Sequence, residues 1–400
     1  MYSRTAQEAL ALVMGDVDLV RALGLAGVPC AFFGEHDDAA RYSRHVRTVL
    51  PWREYSHCED ELVTALLRFG RSQPEPPVLY PQTDAALLLV SHHRERLGEA
   101  FRFVLADAEL VDQLVDKSRF QALAERHGLP VPPAERLDWT PGGHRHVPAV
   151  SFPAVVKPAV REHAWTAAVA EGGKALRVGG PDEWAGIVPQ LEGLGSDVVV
   201  QELVTGPETA MESYHAYVDE SGTTVGAFTG RKIRTFPPHY GFSTAVEIVD
   251  LGDVAALGSE VLARLGLRGV AKVDFKRDER GSLRLLEVNP RFTLWHHPAA
   301  VAGVNVPALV HADLTGRPRP PGRRPVRHVA WCNPLTDLKA AYEAGMSPLA
   351  WLRWARTCQS MSGLSRDDPL PFVLGTLRKA MSRRVRRRLH PPRTPRPHAA

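Results

Sequence analysis

The stretch Gly269–Phe292, GVAKVDFKRDERGSLRLLEVNPRF, decides the fold of this chain. Polar and apolar residues alternate on both sides of the turn Asp278–Gly281, which predicts two antiparallel β-strands. The polar residues on one face of the first strand are Lys272, Asp274 and Lys276. The residues expected to share one face of the second strand are Leu285, Glu287, Asn289 and Arg291. The hairpin would therefore present carboxylates, an amide and cations on one sheet surface.

A turn centred on Glu279-Arg280 would place Lys272 opposite Glu287, with Asp274 as the diagonal neighbour. Carboxylate and amide oxygens are hard ligands that suit Mg²⁺, especially Mg²⁺ already bound to phosphates. The alternative explanation is the solvated face of an ordinary hairpin. The strand ends abruptly at Asn289-Pro290, so Asn289 has a defined position at the strand end rather than being one of a polar series. This position favours the metal site.

The composition is that of a globular protein with two or three domains, since 44% of the 400 residues are hydrophobic and 24% are charged. The chain contains no run of 18 apolar residues, so we expect no transmembrane helix. The N-terminal residues do not resemble a signal peptide. The four cysteines form no CxxC pair, which indicates free thiols rather than a zinc site. We therefore expect a cytoplasmic protein.

The net charge of +4 is unevenly distributed. Nine Lys or Arg residues and no acid lie between Arg378 and Arg396. The other 40 basic residues stand against 45 acids, so the rest of the chain carries a net charge of −5. This basic tail could contact anionic lipid or nucleic acid, or it could be a solvated tail.

The N-terminal residues predict a small α/β unit. A strand at Ala9–Gly15, a helix at Asp16–Ala26 and a strand in GVPCAFFG form a β-α-β opening, which should be parallel and right-handed. A later strand is predicted at Pro77–Tyr80. Gly15 alone is not a dinucleotide-binding fingerprint.

Further elements follow in the middle of the chain. A helical stretch is predicted at Leu110–Gly128, and the expected strands and helices beyond it are Phe152–Pro158, Asp197–Val204, a hairpin over Tyr214–Thr229 and the helix Val254–Leu265. The composition of Arg317–Arg327 predicts a linker, and the chain beyond about residue 325 is predicted to be helical.

Several features that bind a nucleotide occur in order along the chain. Two lysines, an extended apolar segment and a carboxylate precede the hairpin acids and amide. Lysines neutralise phosphates, an extended backbone can contact an adenine edge, a carboxylate accepts from ribose hydroxyls, and acids hold Mg²⁺ between phosphates. Each feature alone is weak, but the ordered set is specific.

The set resembles the ATP-grasp superfamily, in the carboxylate–amine ligase type that includes bacterial D-aspartate ligase-like and carbamoyl-phosphate synthase-like proteins. The resemblance covers about residues 1–320 and implies an α/β (α+β grasp) fold. A small Rossmann-like domain at 1–110 would precede a two-lobed ATP-grasp domain at 111–325, with a smaller lobe at about 111–200 and a larger lobe at 201–325. A helical C-terminal extension with the basic tail would occupy 326–400.

The resemblance implies nucleotide-binding roles for matching residues. Lys117 in DKSRF and Lys157 in VVKP would bind phosphates. The adenine-binding linker would contain Gln201, Glu202 and Val204, and Glu208 in TGPE would be the ribose carboxylate. Relatives carry a glycine-rich loop after the second lysine strand, whereas this chain has only Gly172-Gly173 before Lys174. Lys174 would then replace some of the backbone donors. Glu202 stands where relatives commonly have lysine, which leaves its contact with the base open.

The resemblance also implies metal and substrate residues. Asp274, Glu287 and Asn289 would be the metal ligands, in the form D…ExN. Lys272 would lie near the transferring phosphate and Arg291, in ENPRF, near the acyl substrate.

The loop Gly230–Thr244 offers four anion contacts for a carboxylate substrate, namely Arg231, Lys232, Arg234 and His239. A solvated hairpin is the alternative for this loop. Three residues after the second lysine could also line the cleft, namely Arg161, His163 and Trp165.

We therefore expect an ATP-dependent ligase that joins an amino acid or similar small carboxylate to an amine through an acyl-phosphate. ATP and two Mg²⁺ ions would be the cofactors, with Mn²⁺ as a substitute metal. The expected partners are the two small substrates and a second copy in a homodimer, with weak membrane-surface contact of the tail and no nucleic acid. Two alternatives stay open: an ATP-grasp carboxylase that acts on bicarbonate, and a non-catalytic nucleotide-binding protein recruited by its basic tail.

Overall fold

The computed structural model describes residues 8–51, 58–138, 147–159, 165, 175–194, 197–321 and 328–378. Its N-terminal part is a parallel sheet in the order β3-β2-β1-β4. The strands are β1 (Ala11–Met14), β2 (Cys30–Phe32), β3 (Val46–Val49) and β4 (Val78–Pro81). The helices are α1 (Val17–Leu25), α2 (Glu59–Ser72), α3 (Asp84–His92) and α4 (Arg94–Gly98). The predicted β-α-β opening is confirmed. Every residue of β1 is buried, as is typical of a parallel strand covered on both faces.

Two helices and a small antiparallel sheet follow. The helices are α5 (Ala108–Val115) and α6 (Lys117–Arg126). The predicted single helical stretch is thus broken at Asp116, whose extended backbone ends α5 and whose carboxylate accepts from the backbone N–H groups of Ser118 and Arg119 to cap α6. The sheet has the order β5-β8-β6-β7. Its elements are β5 (Ala134–Leu137), β6 (Ala154–Pro158), β7 (Leu176–Val178), α7 (Pro181–Leu194) and β8 (Val198–Glu202).

The largest sheet has the order β13-β12-β9-β10-β11-β14-β15. Its strands are β9 (Met211–Val218), β10 (Thr224–Phe236), β11 (Phe242–Val249), β12 (Gly269–Arg277), β13 (Leu283–Asn289), β14 (His328–Cys332) and β15 (Ser360–Met361). The accompanying helices are α8 (Gly252–Arg264), α9 (His296–Val301), α10 (Val306–Thr315), α11 (Pro334–Glu343) and α12 (Pro348–Ala355). Residues 370–378 are also helical.

The fold class is confirmed: a small α/β domain precedes two lobes built on separate sheets. One difference lies after residue 325, where the sequence predicts only helices. β14 pairs with β11 and β15 pairs with β14, so this segment adds two strands to the largest sheet. No helix in the described ranges is long and apolar enough to cross a bilayer.

The β12–β13 hairpin forms as predicted but in another register. Lys272 pairs with Asn289 and Asp274 pairs with Glu287, so the predicted opposition of Lys272 to Glu287 is wrong. The turn occupies Asp278–Ser282, which is one residue longer than predicted, and β13 contains one extra residue. Each feature shifts the pairing by one position. Together they shift it by two, so Glu287 and Asn289 keep the predicted face with new partners.

The extra residue is Leu286, which forms a β-bulge between the pairs Asp274–Glu287 and Phe275–Leu285. Leu285 therefore lies on the same face as Phe275, in the core that packs against α8. The prediction that Leu285 shares the face of Glu287 is wrong, because the bulge adds one residue to the alternation.

Candidate active site

An open cleft lies between the small sheet, α6 and the β12–β13 hairpin. Seven of the predicted site residues line it, and these are Lys117, Lys157, Gln201, Glu208, Lys232, Glu287 and Asn289. Apolar side chains complete the walls, including Leu114, Phe120, Val199, Met211 and Leu286. Charged groups and an apolar surface in one cleft match the two ends of a nucleotide.

Lys157 is held in place by an amide chain. Its Nζ donates to Gln201 Oε1 at 2.8 Å, and Gln201 Nε2 donates to Gln121 Oε1 at 3.2 Å. Burial lowers the pKa of Lys157 to about 8, against the raising effect of Glu287, while Lys117 lowers it further. Lys157 is thus a buried cation that gains from an anionic ligand.

Lys117 is the first residue of α6, and its backbone N–H donates to Ala159 O at 2.9 Å. This contact links α6 to the end of β6, next to Lys157. The two lysines therefore approach one cleft from different elements, at a helix N-terminus that itself favours anions.

Asp274 is buried beneath the cleft. Lys272 Nζ lies 2.8 Å from Asp274 Oδ2, and Ser213 Oγ donates to Asp274 Oδ1. The Lys272 ammonium also lies 5.2 Å from the ring centroid of Trp295. Each carboxylate oxygen therefore has a partner within the chain, and a cation bound to Asp274 would compete with Lys272 for Oδ2.

Arg291 connects the hairpin to the N-terminal domain. Its Nε donates to Asp84 Oδ1 at 2.5 Å, its Nη1 to Gln82 O at 2.9 Å and its Nη2 to Asn289 Oδ1 at 3.3 Å. Asp84 and Glu287 both line the cleft, and Glu287 is exposed there. The arginine therefore orients the amide of Asn289 and links two residues of the cleft wall, Asp84 and Asn289.

Glu208 also lines the cleft and lies close to lysine side chains. Lys276 Nζ is 3.9 Å from Glu208 Oε1. Burial lowers the pKa of both Lys276 and Lys232, and Glu208 offsets part of that lowering. Tyr240 also lines the cleft, and burial raises the pKa of its phenol with a smaller contribution from Glu208. Gly241 follows, where a Cβ would lie 2.1 Å from Pro237 O, so only glycine fits this loop.

The predicted substrate loop brings only Lys232 into the cleft. Lys232 pairs with Val246 and Arg234 pairs with Ala245, so the extra residue Ile233 places the two basic side chains on opposite faces. Arg234 instead donates to both carboxylate oxygens of Asp337, at 2.9 and 2.7 Å.

The other two residues of that set also lie elsewhere. Arg231 pairs with Glu247 at 2.8 Å, and His239 is exposed at the hairpin tip. The predicted anion contacts of Arg231, Arg234 and His239 are therefore absent from the described cleft.

The linker residues Glu202 and Val204 do not line the cleft. Glu202 Oε1 accepts from the backbone N–H of Ser151 at 3.0 Å, so its side chain points away, and any contact of this residue with a base would use its carbonyl. Trp165 is 3% exposed and packs in the core of the small sheet rather than in the cleft. Lys174, Arg161 and His163 lie outside the described residues.

Three contributors were not assigned from the sequence. Ser213 donates a hydrogen bond to Asp274, which is 61 positions away, and Asp84 accepts one from Arg291, which is 207 positions away. Contacts between residues so distant in sequence leave no local pattern. Lys276 was recognised on the polar face of β12, but its contact with Glu208 depends on how the strand meets the linker.

The oxygen donors on this face fit a magnesium ion. Asp274 and Glu287 are directly paired and Asn289 follows two residues after Glu287. Glu287 and Asn289 line the cleft, and the buried Asp274 lies next to them in the hairpin, so the potential ligands are all oxygens. In the described part of the chain, no three His, Cys, Asp or Glu residues cluster as a complete metal site. Two carboxylates with an amide instead suit an ion that also takes phosphate oxygens as ligands.

The fold and this site agree with the resemblance to the ATP-grasp superfamily that the motifs indicated, and part of the chain matches a model of an ATP-grasp family. The family described as "ATP-grasp in the biosynthetic pathway with Ter operon" matches residues 197–337, which contain the linker, the hairpin and the start of α11.

Among characterised proteins, the chain is similar to D-aspartate ligase of Enterococcus faecium, with 26% identity over 234 residues. The match covers 56% of this chain and 55% of the relative, so the chain aligns with about half of that protein's length. Its fold is similar to that of L-amino acid ligase from Bacillus licheniformis, with a TM-score of 0.63, 15% identity and coverage of 81% and 80% of the two chains. It also resembles the biotin carboxylase domain of 2-oxoglutarate carboxylase from Hydrogenobacter thermophilus, solved with MgADP and bicarbonate. That match has a TM-score of 0.59, 14% identity and coverage of 81% and 74%.

Proposed function

We propose that this protein is an ATP-dependent carboxylate–amine ligase that forms an amide through an acyl-phosphate. The observation that carries the proposal is the convergence of Lys117, Lys157, Glu208, Glu287 and Asn289 on one cleft from four separate segments of the chain. These segments are far apart in sequence, and a solvated surface would not require them to meet.

In this proposal the two lysines and α6 hold the phosphates of ATP. Lys157 is already oriented by Gln201 and lies in a site where burial disfavours its charge. An anionic phosphate relieves that penalty, so binding energy is available without rearranging the lysine. Glu208 would accept from the ribose hydroxyls, and the apolar wall that includes Met211 and Leu286 would cover the base.

Asp274, Glu287 and Asn289 would hold Mg²⁺, which supplies charge neutralisation between the β- and γ-phosphates when bound. Lys272 Nζ lies 2.8 Å from Asp274 Oδ2, and in this proposal it would exchange that contact for one with the transferring phosphoryl group. Arg291 keeps the Asn289 amide oriented through its Nη2 group.

The chemistry then needs no protein nucleophile. A substrate carboxylate oxygen attacks the γ-phosphorus, the bond to the β-phosphate oxygen breaks, and ADP leaves. The amine nitrogen next attacks the acyl carbon, phosphate leaves with the C–O bonding pair, and the nitrogen releases a proton. Lys232 and Lys272 lie on the sheet face where negative charge builds up, and fixed cations there stabilise the transition state.

The similarity to a D-aspartate ligase supports an amino acid as the carboxylate substrate. Lys232 is buried and lines the cleft, so it is the side chain that we assign to the carboxylate. The same similarity does not determine the amine.

The test is phosphate release from MgATP against a matrix of amino acids, other carboxylic acids and amines, with mass spectrometry of any product. We expect stoichiometric ADP, phosphate and amide with one acid–amine pair. ADP release that needs bicarbonate and no amine would instead support the carboxylase alternative, for which the likeness to a bicarbonate-bound carboxylase domain is the specific observation. Tight ATP binding without turnover in any combination would support a nucleotide-binding protein without catalysis.

A further inference from the structure

The last described segment, residues 370–378, is a helix that exposes an apolar face. Leu370, Val373, Leu374 and Leu377 are 51%, 48%, 37% and 56% exposed. Their spacing of i, i+3, i+4 and i+7 puts all four on one side of the helix. Exposed apolar residues are ordinary when scattered, but a contiguous helical face of them marks an interaction site.

The orientation of this helix is fixed by its opposite side. Pro371 and Gly375 are buried, and a Cβ on Gly375 would lie 2.6 Å from Ala39 Cβ. Arg378 Nη1 donates to Tyr42 Oη at 3.0 Å. Because the packed side already contacts the N-terminal domain, a rotation that buried the leucines would break these contacts.

The charge of the neighbouring sequence indicates what covers the apolar face. Nine Lys or Arg residues occur from Arg378 to Arg396, and no Asp or Glu occurs between residue 369 and the last residue given. The rest of the chain has an excess of acids, so this end is the part that an anionic surface attracts.

We propose that the apolar face of residues 370–378 binds the surface of an anionic lipid bilayer. An apolar helical face followed in sequence by many cations has the chemistry of a peripheral membrane contact, in which leucines enter the interface and cations attract anionic headgroups. This inference does not depend on the proposed ligase reaction.

Two other occupants fit the observations less well. A nucleic acid would use the cations but would leave four exposed apolar side chains without a role. A second copy of the chain could cover the leucines, but it would bring two runs of nine cations together, which is unfavourable at physiological salt.

The test is co-sedimentation of the full chain with vesicles of phosphatidylcholine alone, or with phosphatidylglycerol at a ratio of about 2:1, over a range of salt. The variant Leu370→Gln/Leu374→Gln/Leu377→Gln removes the apolar face and keeps every charge. The matched control is Leu349→Gln/Leu352→Gln on α12, where the leucines are 59% and 41% exposed on another helix.

We expect binding to anionic vesicles that weakens with salt and is nearly absent on neutral ones. The triple variant should partition at least about tenfold more weakly, while the control should match the parent chain. All three proteins should keep the same Tm and the same ATP affinity, since the substituted leucines are exposed.

Several results would overturn the inference. These are no sedimentation with anionic vesicles, equal sedimentation with neutral vesicles, or equal loss in the triple variant and the control. Binding that persists in the triple variant while a DNA duplex competes for it would assign the basic residues to nucleic acid instead. Concentration-dependent dimerisation that the triple variant abolishes, without vesicle binding, would assign the face to a second copy.

Discussion

Asp274 on β12 lies directly across from Glu287 on β13, and Lys272 holds Asp274 from two residues earlier at 2.8 Å. Directly paired residues have Cβ atoms about 4.5–5.5 Å apart, so these two carboxylates can share ions. The pairing depends on the bulge at Leu286, which also places Leu286 in the wall of the cleft. One extra residue therefore both assembles the acidic pair and supplies an apolar contact beside it.

The first prediction concerns this acidic pair. Glu287→Gln should lower MgATP turnover by about 10²–10³-fold, because it removes a charge that the reacting phosphates and their metal need. The measurement is steady-state ADP release with the identified substrates. Glu279→Gln, in the exposed turn of the same hairpin, is the control and should match the parent. Unchanged turnover in Glu287→Gln would contradict the metal assignment.

The second prediction concerns pH. The pKa of Lys157 is lowered to about 8, so the side chain is cationic below that pH and neutral above it. Since phosphates bind the cation, ATP affinity should be highest below pH 8 and fall by up to about tenfold per pH unit above it. Titration calorimetry with a non-hydrolysable ATP analogue measures this dependence. Lys157→Met should bind weakly with a flatter pH profile, and an identical slope in both proteins would assign the effect to another group.

The third prediction separates the two neighbouring linker side chains. Gln201 accepts from Lys157, whereas the Glu202 carboxylate accepts from Ser151 N–H outside the cleft. Gln201→Leu should weaken ATP binding by about tenfold, since a hydrogen bond to a charged group contributes about 1.5–3 kcal/mol. Glu202→Gln should leave binding close to that of the parent. Equal losses in the two variants would mean that both act through the backbone of the strand.

The fourth prediction compares two ion pairs made by arginines of β10, one with a fully buried carboxylate and one that is more exposed. Asp337 is fully buried and accepts from Arg234, Thr244 and Trp351. Asp337→Ala should cost about 3–5 kcal/mol of unfolding free energy, because it leaves the Arg234 charge without its buried partner.

The control for that comparison is Arg231→Gln, which removes the more exposed pair with Glu247 and should cost about 0–1 kcal/mol. Urea unfolding monitored by tryptophan fluorescence measures both variants. Similar costs for the two would show that the Asp337 cluster does not stabilise the fold.

The sequence was sufficient to find the cleft but not to orient every side chain around it. Lys117, Lys157, Glu208 and Glu287 were identified because each lies in a short motif with a definite chemical role. Their motifs contain the backbone turn or strand that positions them, so the local pattern carries the needed information.

The errors arose where an extra residue changed a strand's alternation. Leu285 was assigned to the face of Glu287 by strand alternation, and a bulge at Leu286 reverses that count. Arg234 was grouped with Lys232 as an anion contact of the same loop, and a bulge at Ile233 places the two side chains on opposite faces. The partner that receives Arg234 is Asp337, which lies 103 positions later. Neither a bulge nor so distant a partner leaves a pattern in the local sequence.

The strand β14 has a consequence for how the chain can be divided. It covers the edge of β11 in the largest sheet, although it comes from the segment after the predicted linker. A chain shortened to residues 1–325 would leave the β11 edge at Ala245–Val249 without the strand that now pairs with it. Such an edge is a template for intermolecular strand addition, so the shortened protein should aggregate even if its nucleotide cleft is complete. We therefore expect that the segment of β14 and β15 protects this edge, and that a shortened chain must extend at least through β15 to avoid such association.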